Sequence, residues 1–250
     1  MSTGEPLRVL DLFSGIGGFS IGLERAGMRT VAFCEIEPFC QAVLAKHWPG
    51  IPVFNDVTKL RSQEVGAIDV ICGGFPCQDI SYAGKGLGLE GARSGLWFEF
   101  ARIIEETQPV FAVIENVSAI RNRGLDQVLW SLAKIGYDAE WHCIPASAIG
   151  APHDRDRTWI IAYRNGTRRA RLVESLDIGQ VGSWGWRGKE DLQLIAESPY
   201  DGSDRWPQPL ICRMDDGIPA RLDRIKSCGN AVVPAITEII GKAIIASLGE

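Results

Sequence analysis

The feature that most constrains this fold is a regular alternation of short apolar runs with segments whose apolar residues recur at helical spacing. The apolar runs occupy residues 7–13, 30–37, 67–74 and 109–117, and the helical patterns occupy residues 19–27, 38–48, 96–107 and 125–136. Apolar runs of this length, bounded by turn residues, are typical of buried strands. Strands that alternate with helices predict an α/β fold with a doubly wound, mostly parallel sheet.

The alternation ends near residue 138. Residues 139–146 and 157–164 predict two more strands with no helix between them, which indicates an antiparallel edge on the sheet. Periodicity then fades, and residues 229–249 return to helical spacing, so this last segment should pack against the first part of the chain. We therefore predict a main domain formed by residues 1–163 plus 214–250 and a small irregular region at residues 164–213.

Composition excludes several classes of protein. No segment approaches eighteen uninterrupted apolar residues, and the amino terminus lacks the pattern of an export signal, which predicts a cytoplasmic protein without a membrane span. The net charge is −5, so a nucleic-acid partner would have to meet local positive charge. One cluster that could supply it contains Arg164, Arg168, Arg169 and Arg171, although a solvated surface is the favoured explanation for a charge cluster taken alone.

The first strand leads into a glycine-rich turn, DLFSGIGG, at residues 11–18. Ligands of open parallel sheets bind beyond the carboxyl ends of strands, and glycines let the backbone approach a ligand closely. The predicted ligand contacts in this turn are Asp11, Ser14, Gly15, Gly17 and Gly18. A tight connection between a strand and a helix would need the same glycines, so the turn alone leaves both interpretations open.

Two acids follow the next two predicted strands. Glu35 lies twenty residues beyond Gly15 at the end of the second predicted strand, where a carboxylate can accept hydrogen bonds from ribose hydroxyls. Asp56, in FNDV at residues 54–57, follows a short third predicted strand, so the run at residues 67–74 is the fourth. The third glycine of the dinucleotide fingerprint is replaced by Ser20, and additional negative charge would repel a pyrophosphate. A nucleoside with a cationic tail therefore fits the predicted site better than a dinucleotide does.

A cysteine occupies the turn after the fourth strand, in the sequence GGFPCQ at residues 73–78. Packing, a disulfide, a metal ligand and a nucleophile are the four explanations for Cys77. Seven cysteines cannot all pair, and zinc requires clustered ligands that the neighbourhood of Cys77 lacks. Glu115 ends the following strand, where burial should raise its pKa, and its placement beside Cys77 favours a chemical role for both.

The motifs DLFSGIGG, GGFPCQ, ENV, PHDRDR and GNAVVP occur in this order, and together they resemble the C5-cytosine DNA methyltransferases. The resemblance covers residues 7–163 and roughly 212–250. It implies a Rossmann-like fold that binds S-adenosyl-L-methionine and releases S-adenosyl-L-homocysteine, with double-stranded DNA as partner and no metal. It also implies that residues 164–213 recognise the target. We further expect a monomer, with a companion restriction endonuclease as a candidate partner.

The resemblance also implies individual roles. Phe13 would stack on adenine, Glu35 would hold the ribose hydroxyls and Asp56 would accept the adenine amino group. Cys77 would add to C6 of cytosine, Glu115 would bind N3 and the exocyclic amine, and Arg157 would meet O2 with Arg155 beside it. The other residues assigned to the cofactor and active-site walls are Ile36, Val57, Pro76, Asn230 and Ala231.

Access to C6 requires that the cytosine leave the duplex stack. Residues 81–95 are rich in glycine and are predicted to form a mobile loop over the flipped base, although a solvated surface loop would have the same composition. The residues predicted to contact DNA are Gln78, Ser81, Lys85, Arg93, Arg168 and Arg169. His153 departs from the glutamine that the family commonly has there, and it can still donate a hydrogen bond.

Three rival functions remain open from the sequence. The same chemistry could act on a cytosine in transfer RNA, as in the related RNA-methylating branch. A homologue that binds cofactor and DNA without turnover is a second rival, which the presence of Cys77, Glu115, Arg155 and Arg157 argues against. An NAD-dependent oxidoreductase is a third rival, and the glycine turn is its only support.

Overall fold

A seven-stranded sheet runs through the computed structural model, which describes residues 4–76, 95–149, 151, 155–166 and 230–248. Its strands are β1 (Arg8–Leu12), β2 (Arg29–Cys34), β3 (Val53–Phe54), β4 (Val70–Gly73), β5 (Phe111–Val117), β6 (Tyr137–Pro145) and β7 (Asp156–Arg164). They lie in the order β3-β2-β1-β4-β5-β7-β6, and the first five are parallel. β7 pairs antiparallel with both β5 and β6, which confirms the predicted antiparallel edge.

Helices cover both faces of this sheet. They are α1 (Gly18–Arg25), α2 (Pro38–His47), α3 (Ser62–Val65), α4 (Leu96–Thr107), α5 (Leu125–Lys134) and α6 (Pro234–Leu248), with 3₁₀ turns at Ser118–Asn122 and Ala146–Ile149. The sequence did not predict α3 or the two 3₁₀ turns, because four or five residues are too few to show a period. No helix in the described ranges is both long and apolar enough to cross a bilayer.

The core lies in two layers because adjacent residues of a strand point to opposite faces of the sheet. On one face, Leu10, Ile71 and Ile160 pack under α4 and α5. On the other face, Val9 and Ile161 pack under α1 and α6. Strands that are covered on both faces are mostly apolar on both faces, which explains why the apolar runs in the sequence contain few polar residues.

The last helix packs against the first one. A side chain at Gly22 of α1 would overlap the Thr237 hydroxyl of α6, and a Cβ at Gly241 would lie 2.7 Å from the Cβ of Ala26. Glycine at both positions therefore lets the two helices approach closely. The prediction that the carboxyl-terminal segment returns to the main domain is confirmed, and residues 230–233 consequently reach the carboxyl edge of the sheet.

Candidate active site

A cavity of about 510 Å³ opens at the carboxyl ends of the parallel strands. Because β1 to β5 run in the same direction, the segments that follow them meet at one edge of the sheet. The predicted site residues that line this cavity are Phe13, Ser14, Gly15, Glu35, Ile36, Asp56, Val57, Pro76, Glu115, Arg155, Arg157, Asn230 and Ala231. The structure thus brings together residues that the sequence separates by more than two hundred positions.

The turn after β1 is held by the carboxylate of Glu35. The Gly15 N–H donates to Glu35 Oε2 at 2.7 Å, and the Glu37 N–H donates to Glu35 Oε1 at 2.8 Å. Both Gly15 and Phe13 have positive φ angles, of 54° and 52°, and glycine adopts this conformation readily. Glu35 therefore fixes two backbone segments of the cavity wall, and each of its oxygens keeps a second lone pair for a ligand.

Gly17 and Gly18 were predicted to contact a ligand, but they do not line the cavity. A Cβ at Gly17 would lie 2.5 Å from the Trp48 ring, and a Cβ at Gly18 would lie 2.7 Å from the carbonyl oxygen of Val232. These glycines allow other parts of the protein to approach the turn. A glycine gives the same sequence signal whether its close neighbour is a ligand or a protein segment.

Asp11 also lies outside the cavity wall, buried beneath the turn. Its Oδ2 accepts a hydrogen bond from the Ser20 hydroxyl at 2.8 Å, whereas its Oδ1 has no hydrogen-bond partner. Burial raises the pKa of Asp11 to about 8, against the opposing effect of the Ser20 hydrogen bonds. The carboxyl group is therefore largely protonated at neutral pH and supports the turn from behind.

Asp56 lines the cavity at the end of the short strand β3. Its Oδ1 accepts hydrogen bonds from the Thr58 N–H at 3.0 Å and the Thr58 hydroxyl at 2.7 Å. Its Oδ2 lies 3.1 Å from the exposed ammonium group of Lys59, and these contacts lower the pKa of Asp56, with the Thr58 hydrogen bond contributing most. The carboxylate is therefore ionised and is oriented by its own turn.

The other side of the cavity contains a nearly buried ion pair between Glu115 on β5 and Arg157 on β7. Arg157 Nε lies 2.8 Å from Glu115 Oε1, since these residues are near neighbours across the antiparallel pair of strands. Burial raises the pKa of Glu115, and the charges of Arg157 and Arg155 oppose that rise. The carboxyl group thus carries a raised pKa, as the sequence predicted, although it lies next to a cation.

Arg155 is the second cation on this side of the cavity. Its pKa is lowered by burial and by the positive charge of Arg157, and Glu115 acts in the opposite direction. Two guanidinium groups consequently lie close enough to one carboxylate to influence its pKa, although only Arg157 forms an ion pair with it. Such an arrangement can stabilise negative charge that develops on a bound molecule.

Two residues without a predicted role shape the surroundings of Glu115. Asn116, which is buried, donates from Nδ2 to the carbonyl oxygen of Phe75 at 3.1 Å and accepts the Val117 N–H at 2.8 Å. A Cβ at Gly74 would lie 2.8 Å from Glu115 Oε2. Asn116 thus ties the end of β5 to the segment after β4, and Gly74 leaves space for the carboxyl group.

Part of the predicted site lies outside the described residues. Pro76 lines the cavity, and it immediately precedes Cys77 in the chain. The predicted residues that fall outside the described ranges are Cys77, Gln78, Ser81, Lys85, Arg93, His153, Arg168 and Arg169. Within the ranges that the structure does describe, no cluster of three or more His, Cys, Asp or Glu residues could hold a metal ion.

A family model for C-5 cytosine-specific DNA methylases matches residues 7–181, which include every strand of the sheet. The chain belongs to the C-5 cytosine-specific DNA methylases.

Relatives of this chain include several type II methyltransferases. The chain is 35% identical over 164 residues to M2.BsuMI of Bacillus subtilis and 35% identical over 199 residues to M.CviJI of Paramecium bursaria Chlorella virus IL3A. These alignments cover 62% and 78% of the chain, but only 42% and 53% of the relatives. M.HhaI of Haemophilus parahaemolyticus is 34% identical over 163 residues, which are 64% of the chain and 50% of the relative. The chain therefore spans about half the length of these relatives.

Solved structures similar to this chain support the same fold. EhMeth, a methyltransferase of Entamoeba histolytica, superposes with a TM-score of 0.67 at 15% identity. The superposition covers 97% of this chain and 99% of the EhMeth chain. A prophage-encoded protein of Escherichia coli, described as a DNA modification methyltransferase, gives a TM-score of 0.65 at 20% identity and covers 98% and 100% of the two chains. The doubly wound methyltransferase fold predicted from the sequence is confirmed.

Proposed function

We propose that this chain transfers a methyl group from S-adenosyl-L-methionine to C5 of a flipped cytosine in double-stranded DNA, through a covalent bond between Cys77 and C6. The Glu115–Arg157 pair is the observation that carries this proposal, because it lies on the wall of the same cavity as Glu35, Glu37 and Asp56. We call the wall that these three acids form the nucleoside side. Membership of the family and its type II methyltransferase relatives support the same activity.

The cavity suits the proposed cofactor in size and charge. Its volume of about 510 Å³ lies within the usual range of small-molecule sites. Glu35, Glu37 and Asp56 give its nucleoside side an acidic lining, which favours a ligand with a cationic centre. Glu35 has lone pairs left for two ribose hydroxyls, and Phe13 offers an aromatic ring for a purine. When bound there, S-adenosylmethionine supplies an electrophilic methyl group.

Cys77 would act first. Its thiolate forms a bond to C6 of cytosine, and the electron pair of the C5–C6 double bond moves into the ring, which makes C5 nucleophilic. C5 then forms a bond to the methyl group, and the electron pair of the broken methyl–sulfur bond stays with S-adenosylhomocysteine, which is the leaving group. A base next removes the C5 proton. The C5–C6 double bond then forms again, and the thiolate leaves with the electron pair of the C6–S bond.

Glu115 and Arg157 would stabilise the ring while it carries additional electron density. A carboxyl group with a raised pKa can share its proton with N3 at the moment when Cys77 adds to C6. Arg157, which pairs with Glu115 in the structure, can donate hydrogen bonds to the cytosine O2. Arg155 adds a second positive charge close by, which favours both the thiolate and the anionic ring.

DNA recognition would be divided between two parts of the chain. We assign catalysis and cofactor binding to residues 1–163 plus 214–250, and target recognition to residues 164–213. Base flipping costs a few kcal/mol, which contacts to the backbone and to the extruded base must offset. Gln78, Ser81, Lys85 and Arg93 precede α4 and would contact DNA near the flipped base, whereas Arg168 and Arg169 would contact phosphates.

Covalent trapping tests the proposal directly. A DNA duplex that carries 5-fluorocytosine should become permanently attached to the protein when S-adenosylmethionine is present, because fluorine cannot leave C5 as a proton does. Peptide mass spectrometry should map the attachment to Cys77. Cys77→Ala should form no adduct and should bind S-adenosylhomocysteine with an affinity within about twofold of the wild type, while Cys143→Ala on β6 serves as the matched control.

Two outcomes would contradict the proposal. Methyl transfer that persists in Cys77→Ala would exclude the nucleophile, and transfer to structured RNA but not to duplex DNA would exclude the substrate. Changing Arg168 and Arg169 to alanine should reduce the salt slope of DNA binding by about two, since each phosphate contact contributes about 0.9 to that slope. An unaltered slope would remove both arginines from the interface.

A further inference from the structure

One guanidinium group connects helix α4 to the nucleoside side of the cavity. Arg102 lies in the middle of α4, and it donates from Nη2 to the carbonyl oxygen of Val57 at 2.9 Å and from Nη1 to that of Leu60 at 3.1 Å. Its remaining contacts are with Glu99 and Glu106 of the same helix, each at 2.8 Å. Two hydrogen bonds from one guanidinium group to the backbone of a turn 42 and 45 positions away fix that turn relative to α4, which indicates a positioning role.

The two carbonyl groups belong to the turn that carries Asp56. Asp56 and Val57 line the cavity, whereas the side chain of Leu60 is buried in the core beneath α4. Strand β3 precedes this turn and is only two residues long, so the sheet itself gives the turn little support. The bonds from Arg102 anchor the turn from its other side.

Helix α4 also supports other parts of the cavity. Its Phe100 ring lies 6.1 Å from the Phe13 ring, and its Trp97 ring lies 5.3 Å from the Phe75 ring, measured between centroids. Leu96, the first residue of the helix, lines the cavity directly. One helix thus contacts three segments of the cavity wall, and Arg102 is its connection to the segment at residues 56–60.

We infer that Arg102 is a positioning residue for the nucleoside: it holds Asp56 and Val57 where the purine of the cofactor binds. The inference rests on the proposed use of S-adenosylmethionine, and it adds a residue that does not itself contact the ligand. Loss of the two backbone bonds should weaken cofactor binding, while the chemistry at Cys77, Glu115 and Arg157 stays intact. The effect should therefore fall on cofactor affinity rather than on kcat.

Calorimetry with S-adenosylhomocysteine measures this effect. Arg102→Gln should raise the dissociation constant at least tenfold and should leave kcat at saturating S-adenosylmethionine within about twofold of the wild type. Arg102→Lys keeps a cation that can reach one carbonyl, so it should give an intermediate dissociation constant. Changing both Glu99 and Glu106 to glutamine keeps the two backbone bonds and should raise the dissociation constant less than threefold.

Arg8→Gln is the matched control. Arg8 pairs with Asp69 at 2.8 Å at the amino ends of β1 and β4, away from the cavity. Its side chain is 37% exposed, against 31% for that of Arg102. This variant should bind S-adenosylhomocysteine as the wild type does. Thermal unfolding of each variant identifies any that fails to fold. If Arg102→Gln does not fold, the dissociation constant of Arg102→Lys decides the test.

The outcomes separate this inference from the proposed function. A dissociation constant for Arg102→Gln equal to that of the wild type would overturn the role of Arg102, and so would a kcat that falls as much as the affinity does. In either case a wild-type protein that methylates DNA would leave the proposed function standing. A wild-type protein that binds S-adenosylhomocysteine but transfers no methyl group would overturn the proposed function alone.

Discussion

The two sides of the cavity hold their carboxylates in different ways. On the nucleoside side, Glu35 accepts hydrogen bonds from the backbone N–H groups of Gly15 and Glu37. On the opposite side, Glu115 pairs with the side chain of Arg157. Backbone donors are fixed by the fold, whereas a guanidinium group on a flexible stem can change its partner. The nucleoside side therefore keeps its shape, whereas the Glu115–Arg157 pair can rearrange when another molecule enters the cavity.

This contrast matches the two tasks that we propose. A cofactor must bind in the same pose in every cycle, so a wall built on backbone hydrogen bonds suits it. A flipped base must instead exchange contacts with Glu115 and Arg157 during the reaction. Changes on the nucleoside side should therefore alter affinity, and changes around Glu115 should alter turnover.

The largest effect is expected for Glu115→Gln. Glutamine keeps the size of the side chain but cannot share a proton with N3, so kcat should fall by about 10²–10⁴-fold, the usual contribution of general acid catalysis. Single-turnover methylation and calorimetry with S-adenosylhomocysteine would measure the two properties separately. The affinity for S-adenosylhomocysteine should stay within about threefold, and a kcat within tenfold of the wild type would contradict the role of Glu115.

Glu35→Gln should show the opposite pattern. The amide nitrogen of glutamine would face a backbone N–H, so the N–H of Gly15 or Glu37 would lose its acceptor. An unsatisfied donor of this kind raises the free energy of the folded site by about 1–3 kcal/mol. We expect the dissociation constant of S-adenosylhomocysteine to rise about thirtyfold, with little change in kcat at saturation. Glu64→Gln makes the same change at an exposed acid of α3 and should have no effect on either constant. Equal loss of kcat and affinity in Glu35→Gln would remove the distinction between the two sides.

Gly74→Ala should produce a smaller effect on turnover. The added methyl group would lie 2.8 Å from Glu115 Oε2, so the carboxyl group must move by a few tenths of an ångström. A displacement of this kind should lower kcat by about tenfold, because catalytic efficiency depends strongly on alignment. Gly4→Ala is the control, since a Cβ at Gly4 meets no atom within 4 Å. Unchanged kcat in Gly74→Ala would show that the position of Glu115 is not critical.

The smallest expected effect concerns Asp11, behind the nucleoside side. The folded protein keeps the proton of Asp11 up to its pKa of about 8, whereas the unfolded chain releases it near the ordinary value of 3.8. The stabilisation from this group is therefore complete in acid and is lost as pH rises between those values, by at most about 1.4 kcal/mol per pH unit. Asp11→Asn should remove this slope from the free energy of unfolding, as measured with urea between pH 6 and 7.

Asp69→Asn provides the control for that measurement. The hydrogen bond from Arg8 is the main reason that the pKa of Asp69 is lowered, so its stabilisation is present above its ordinary pKa and is lost only as the solution becomes more acid. This variant should leave the slope between pH 6 and 7 unchanged. A wild-type slope that survives in Asp11→Asn would mean that another group titrates in this range.

The sequence predicted the central strands well because they are largely buried on both faces and appear as apolar runs with few polar residues. The rule that ligands bind at the carboxyl ends of parallel strands then identified Glu35, Asp56 and Glu115 as neighbours, and the structure brings all three to one cavity. The four-residue helix α3 was beyond such reasoning, since it is too short to show a period.

Contacts between distant segments were the other part that the sequence did not reveal. Asn116 bonds to Phe75, forty-one positions away, and Arg102 bonds to Val57, forty-five positions away, and no spacing rule connects either pair. Gly17 and Gly18 show that a sequence signal can be present while its cause stays hidden. Their signal of close approach was interpreted as a ligand contact, whereas the structure shows Trp48 and Val232 as the close neighbours.

The packing of α6 on α1 has a consequence for biosynthesis. Thr237 lies against Gly18 across a separation of 219 positions, and Asn230 and Ala231 complete the cavity wall. A nascent chain on the ribosome lacks this wall until the segment at residues 230–248 has emerged from the exit tunnel. Cofactor capture would therefore wait for this segment, and a polypeptide that has not yet reached it could not draw stability from the metabolite.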